Sequence, residues 1–332
     1  MIKYLLPVVL MGWTMLLYAQ VPTITEKTKG LQPDNGFFTY YYDEAEGKIW
    51  LEVEQIGEEV LYINSLTAGL GSNDIGLDRN QLGDTRVVRF IREGQKILLQ
   101  EPNLKFRART RNLPERQSVE EAFAQSVLWG FKVEAEENGK VLIDWTPFLM
   151  RDAHGVGERL KQNNQGDFTL SEERSILWLE RTKSFPNNTE FEALLTFTGN
   201  PKGRELRSVA PTPASFSVRM HHSLVQLPDD EFEPRVYDPR SGYFPLTFQD
   251  YAAPIDAPLT QRLIYRHRLE KANPKAKRSR PVEPIVYYLD PGVPEPVRSA
   301  LLEGARWWNE AFEAAGFIDA FQVEVLPEGA DP

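Results

Sequence analysis

The side chains best equipped for chemistry in this chain are four histidines, His154, His221, His222 and His267, and the acids around them. No two have H-x-x-x-H spacing, so no helix presents two imidazoles to one metal ion. His221 and His222 are adjacent in Phe216-Ser-Val-Arg-Met-His-His-Ser-Leu224, an alternating stretch that predicts a strand. Successive strand side chains point to opposite faces, so the pair cannot chelate jointly in regular geometry. His222 shares its face with Phe216, Val218, Met220 and Leu224 and reads as a core histidine, whereas His221 falls on the polar face, where it can meet a partner domain. Asp152-Ala-His154 sets an acid beside an imidazole without the Gly-x-Ser-x-Gly elbow of a hydrolase nucleophile. Residues 69–84 are rich in glycine and oxygen ligands. A calcium loop is one reading of them, but the acids miss the EF-hand pattern and no phosphate-loop Gly-Lys-Ser/Thr is present, so a long turn is the simpler one. Asp229-Asp-Glu231 reads as solvated acid in a Pro-rich stretch, and cysteine is absent, which excludes disulfides, thiolate zinc sites and a cysteine nucleophile. The expectation is a chain with no catalytic, cofactor-binding or metal-ligating residue set of its own.

The elements that would position these groups are predominantly strands. Residues 37–42 and 48–53 flank a turn at 43–47, residues 86–91 and 96–100 flank another at 92–95, and Asn138-Gly139 between 131–135 and 141–145 has the composition of a two-residue hairpin turn. Residues 175–180, 190–198 and 215–224 complete the set, with Trp50, Trp129, Trp145 and Trp178 as candidate core. Ser118-Val-Glu-Glu121 has the form of a capping box and predicts a helix over 119–127. One or two short helical turns are expected in 147–160. Prolines at 228, 234, 239, 245, 254 and 258 predict an extended connector over 227–258. Residues 262–280 then hold eight Lys or Arg against one acid, Glu270, in an otherwise acidic chain. That reversal reads as a solvated linker, with cleavage by a trypsin-like enzyme as the sharper alternative.

The C-terminal stretch has a different pattern. Ile285-Val-Tyr-Tyr-Leu289 predicts a short buried strand, 295–315 one amphipathic helix closed by Gly316, and Phe321 to Val325 a second, alternating strand. If the strands are parallel, the helix crosses over and covers their sheet. A sheet only begun within 332 residues leads to the expectation that this is the front part of a longer protein. Trp307 and Trp308 lie on that helix, and at least one is expected to be more exposed than a core tryptophan. The fold class expected is α+β: a mostly antiparallel β-rich N-terminal region followed by an opening strand–helix–strand. Its divisions are a leader at 1–19, a β-rich accessory region at 20–258 with an internal boundary near 60–85, a basic linker at 259–281 and the start of a further domain at 282–332.

Length and charge bound the function. About two domains are expected at roughly 150 residues each, and a net charge of −10 argues against a nucleic-acid binder. Lys3 followed by an apolar run from Tyr4 to Tyr18 fits a secretory signal peptide cleaved after Ala19 better than a membrane span. The expected location is therefore secreted or periplasmic, with no membrane span once the leader is removed.

The chain resembles large secreted bacterial zinc metallopeptidases of the metzincin type, which carry two N-terminal domains of unknown function before the peptidase domain. The resemblance is carried by the whole of 284–317, by Gly69-Leu-Gly-Ser-Asn-Asp-Ile-Gly-Leu-Asp-Arg79, by Val119-Glu-Glu-Ala-Phe-Ala-Gln-Ser-Val-Leu-Trp-Gly130, by His221-His-Ser-Leu-Val-Gln-Leu-Pro-Asp-Asp230 and by Asp238-Pro-Arg-Ser-Gly-Tyr-Phe244. It implies that 282–332 opens a catalytic domain whose H-E-x-x-H helix, third zinc ligand and methionine turn come later. In such enzymes a zinc-bound water attacks the peptide carbonyl with the motif's glutamate as base. None of those residues occurs before Pro332. The full-length protein is accordingly expected to bind zinc and to act on a peptide or protein substrate. This chain alone is expected to be inactive, with its own C-terminal catalytic domain as partner. The other class is a non-catalytic secreted peptide- or glycan-binding module.

Overall fold

The computed structural model describes residues 21–330; the leader predicted at 1–19 lies outside them. Residues up to 100 together with 127–226 form one compact unit, and 101–126 with the residues from 227 onward form a second. The structure is β-rich, with mostly antiparallel sheets and few helices.

The first unit is built on a nine-stranded sheet. Its main path runs through Gly166–Leu170, Asn188–Pro201, Ser215–Gln226, Glu59–Ala68, Gln81–Glu93, Lys96–Glu101 and Ser126–Lys132. Alternation decides which face is buried: in Glu59–Ala68 the side chains of Val60, Tyr62, Asn64 and Leu66 turn inward while their neighbours stay partly open. A five-stranded sheet of Pro33–Asp34, Tyr40–Asp43, Lys48–Val53, Lys140–Asp144 and Ala135–Glu137 supplies Tyr40, Ile49, Leu51, Val53, Val141 and Ile143 to the same core. Trp145 and Phe148 join that core with ring centroids 4.4 Å apart and no exposure. Full burial of each such side chain is worth about 1.5–3 kcal/mol. A second cluster covers the other half of the large sheet, where Val156 and Leu160 of the helix Val156–Gln162 pack on Leu195, Phe197, Val218 and Met220.

The second unit holds the helix Leu113–Ala122, a three-stranded sheet of Thr260–Ile264, Pro245–Asp250 and Phe106–Arg107, and a two-stranded parallel sheet. The parallel pair is Ile285–Leu289 with Phe321–Val325, joined in register from Ile285 against Phe321 to Leu289 against Val325. The helices Val297–Arg306 and Trp308–Ala314 connect them.

Several expectations shift. The helix placed at 119–127 lies instead at Leu113–Ala122, because Pro114 suits a first turn that needs no N–H, and residues from Ser126 join the large sheet. The connector at 227–258 contains the strand Pro245–Asp250. Within 259–281 lie the strand Thr260–Ile264 and a loop closed on itself, with Ala272 N–H donating to the Arg280 carbonyl and the Lys271 ammonium to the carbonyls of Ala276 and Lys277. The single helix at 295–315 is broken at Trp307, whose N–H reaches back three residues to Gly304 at 3.4 Å and tightens the turn. The strand Ile285–Leu289 forms with the predicted bounds but not the predicted burial: Val286, Tyr287 and Tyr288 are 39, 53 and 56 % exposed.

Candidate functional site

Three of the four histidines belong to the first unit, and none is free. His222 lies on the core face, fully buried, where its Nδ1 pairs with the Tyr62 hydroxyl at 2.8 Å. Arg151 Nη2 donates to the same hydroxyl at 3.1 Å and its guanidinium lies 4.2 Å from the Phe148 ring centroid. Burial drives the His222 pKa well below the usual imidazole range, the charges of Arg151 and His221 push the same way, and only the Leu149 main chain opposes them. A neutral imidazole follows. Burial likewise raises the Tyr62 pKa, with Arg151 opposing. His154 sits between Asn64 Nδ2 at 3.1 Å and Gln81 Oε1 at 3.0 Å, an arrangement in which Nδ1 accepts and Nε2–H donates. Partial burial lowers its pKa despite Asp152. The Asp152 carboxylate accepts from the N–H groups of Val156 and Gly157 and so caps the helix that starts there.

His221 departs from its expected role. It is 8 % exposed and held between two carboxylates, with Nε2 2.7 Å from Glu190 Oε2 and Nδ1 3.1 Å from Glu192 Oε2. Glu190 also accepts from Ser223 Oγ at 2.5 Å and Asn188 Nδ2 at 2.6 Å, and Arg219 Nε lies 3.5 Å from the second oxygen of the fully buried Glu192. Burial disfavours the imidazolium, but hydrogen bonds and charge from Glu190 and Glu192 outweigh it and push the pKa up to about 9. Burial would raise the Glu190 carboxyl; His221, Ser223 and Asn188 hold it below its ordinary value instead. The sheet register assembles this cluster by setting Glu192 opposite His221 and Glu190 opposite Ser223. Both ring nitrogens donate to carboxylates, so the imidazolium is a tied cation rather than a base or a ligand.

The glycine-rich loop has a structural task. Ile75 and Leu77 are fully buried in the second core cluster, and Leu70 N–H donates to the Leu77 carbonyl. Gly69 meets the main chain of Leu77 and Asp78 so closely that a Cβ would come within 3 Å of it. Among the described residues no group of three or more His, Asp or Glu is placed to hold a metal ion.

In the second unit the features of functional interest are an apolar cleft and a sheet edge. The cleft, of about 480 Å³, is lined by residues that include Ile285, Tyr287, Trp308, Phe312 and Phe321, with His267 at its border. Trp307 and Trp308 are 65 and 61 % exposed. Tyr287 and Phe312 both lie against Phe321, at 5.4 and 5.9 Å between ring centroids. Asp229 and Glu231 pair with Arg268, at 2.5 and 3.2 Å, while remaining at the surface. Sequence reasoning did not single out Glu190, Glu192, Asn309 or Arg306. The alternation of Glu190 and Glu192 with Phe191 and Ala193 was the available signal for the first pair.

No curated protein and no solved structure matches the chain. Residues 80–272 match a family described only as a domain of unknown function, DUF5117. The match takes in the His221 cluster and ends before the strand at Ile285. Because it spans more than half of the sequence, the chain belongs to the DUF5117 family.

Proposed function

We propose that this chain is the N-terminal portion of a secreted or periplasmic zinc-dependent metallopeptidase, with the β-rich part as accessory region and 285–325 as the opening of a metzincin-like catalytic domain. One observation carries the reading. The parallel pair Ile285–Leu289 and Phe321–Val325 is crossed by helices, yet Val286, Tyr287, Tyr288, Trp307 and Trp308 remain between 39 and 65 % exposed. Parallel sheets in folded domains are covered on both faces, so a strand–helix–strand left this bare fits the first part of a larger α/β layer.

The described residues do not fit a zinc site. Their histidines are bound to Tyr62, to Asn64 and Gln81, and to Glu190 and Glu192, while His267 has no acids or imidazoles grouped with it for a metal. Zinc and the hydrolytic residues would be contributed by the remainder of the catalytic domain, so this chain alone is inactive and no step of hydrolysis is assigned to it. Its partners are that domain and, through it, a peptide or protein substrate. No helix among the described residues is long and apolar enough to cross a membrane.

The reading is tested by translating the reading frame past Pro332 and purifying the continuous protein. The expected result is an H-E-x-x-H helix, about one zinc per chain and hydrolysis of a denatured protein substrate that is lost when the motif's glutamate becomes glutamine. A natural stop after Pro332, or a continuation without the motif, overturns the reading and leaves the non-catalytic binding module.

A further inference from the structure

The two edges of the parallel sheet are built differently. Ile285 N–H donates to the Ala320 carbonyl at 2.8 Å and Leu326 N–H to the Leu289 carbonyl at 2.9 Å. Main-chain groups of a strand alternate sides, so Ile285, Tyr287 and Leu289 face the ladder while Val286 and Tyr288 point away from it. On the far side of the second strand the outward groups belong to Phe321 and Val323. These are closed by the helices: Asn309 Nδ2 donates to the Phe321 carbonyl at 2.7 Å, Asn309 Oδ1 accepts from Phe321 N–H at 3.3 Å, and Arg306 Nη2 donates to the Val323 carbonyl at 3.4 Å. The outward groups of Val286 and Tyr288 meet no partner among the described residues.

Side-chain pattern agrees with main-chain pattern. Phe321-Gln-Val-Glu-Val325 alternates and has one polar face, as a terminal strand does. Ile285-Val-Tyr-Tyr-Leu289 is apolar or aromatic on both faces, the mark of an interior strand. It also lacks the lysine, proline or bulge with which exposed edges are guarded.

We infer that this sheet grows at one edge only: an extended segment of the catalytic domain that follows pairs with the Ile285–Leu289 edge through the main chains of Val286 and Tyr288, the opposite edge being sealed by Asn309 and Arg306. The inference rests on the proposed continuation into a larger domain. The segment it calls for is a strand with apolar side chains on both faces, one set covering Val286 and Tyr288 and the other extending the cleft beside Tyr287.

Residue-level amide exchange tests it, on the 332-residue chain and on the continuous protein. The expected result is protection of the Val286 and Tyr288 amides at least about 100-fold greater in the continuous protein, the contrast between an open edge and a ladder strand, with the Phe321 and Val323 amides alike in both. New protection at Val323 with none at Val286 and Tyr288, equal exchange of these two in both proteins, or a natural protein ending at 332 with both amides unprotected, each overturns it. Protection in the 332-residue chain that rises with its concentration assigns the edge to a second copy and overturns it too. A continuation lacking the zinc motif refutes the peptidase reading while leaving the edge to be decided by the exchange pattern.

Discussion

The buried triple of Glu190, His221 and Glu192 makes the sharpest stability prediction. The His221 pKa is raised from 6.5 to about 9, and each unit corresponds to 1.36 kcal/mol between protonation states, so the imidazolium's partners contribute on the order of 3 kcal/mol. Because the folded pKa lies above the unfolded one, this contribution is complete below about pH 6.5 and is lost as pH rises through about 9. Glu190 has the opposite sign. Its folded pKa lies below 4.5, so its contribution exists above that pH and falls away in acid. His154 and His222, whose pKa values are lowered, weaken the fold only as pH drops below their unfolded value. Tyr40, Lys48, Lys140 and Tyr62 are shifted upward from 10 or above. The window between pH 6.5 and 9 therefore isolates His221.

Urea unfolding of the leaderless chain, followed by near-ultraviolet circular dichroism of the buried Trp50 and Trp145, is expected to show a loss of about 3 kcal/mol between pH 6.5 and 9.5. The substitution His221→Gln leaves two buried carboxylates without their cation and is expected to cost about 3–5 kcal/mol at pH 6.5. The cost shrinks towards pH 9.5, where the wild-type imidazole is itself neutral. The double substitution of Glu190→Gln with His221→Gln is expected to recover part of the loss. A wild-type stability that is flat across this window, together with a His221→Gln cost below about 1 kcal/mol at both ends, would refute the assignment of a tied imidazolium.

Two further outcomes follow from the packing. Ile75→Ala, in the glycine-rich loop, is expected to destabilise the first unit by about 2–4 kcal/mol through an unfilled core volume, and a calcium chelator is expected to leave the melting temperature of the unsubstituted chain unchanged; a chelator-sensitive melt would restore the calcium reading. Acrylamide is expected to quench a large, accessible fraction of the tryptophan fluorescence that disappears in the Trp307→Phe, Trp308→Phe double variant, and persistence of that fraction would place the exposed rings elsewhere.

What could be read from the sequence was local or periodic. Asn138-Gly139 forms the expected two-residue turn, with φ of 51° and 84°, the left-handed pair that this dipeptide accommodates. Alternation placed His222 in the core and bounded both strands of the parallel pair. The readings that shifted each depended on something outside the window. The start of Leu113–Ala122 turned on which of two opening signals prevailed, Pro114 or the Ser118 box. The loop at 69–84 was weighed by its glycines and acids, yet Ile75 and Leu77 decide its conformation because two buried aliphatic side chains outweigh exposed turn chemistry. His221 was misplaced because its partners lie 29 and 31 residues away in sequence, and only the register of Asn188–Pro201 against Ser215–Gln226 brings them together.

The parallel pair shows how much a pattern can hold before any contact is known. A strand with apolar side chains on both faces beside one with a single apolar face implies an order in which the first lies inside the sheet and the second at its margin. The structure adds an independent reason in Asn309 and Arg306, which occupy the outer main-chain groups of Phe321 and Val323 and would have to be displaced before a strand could dock there. Displacing Asn309 alone gives up two hydrogen bonds of about 1 kcal/mol each, whereas pairing at Val286 and Tyr288 gives up none. The exposed aromatic faces supply the hydrophobic drive for covering this sheet, and the main-chain asymmetry supplies its direction.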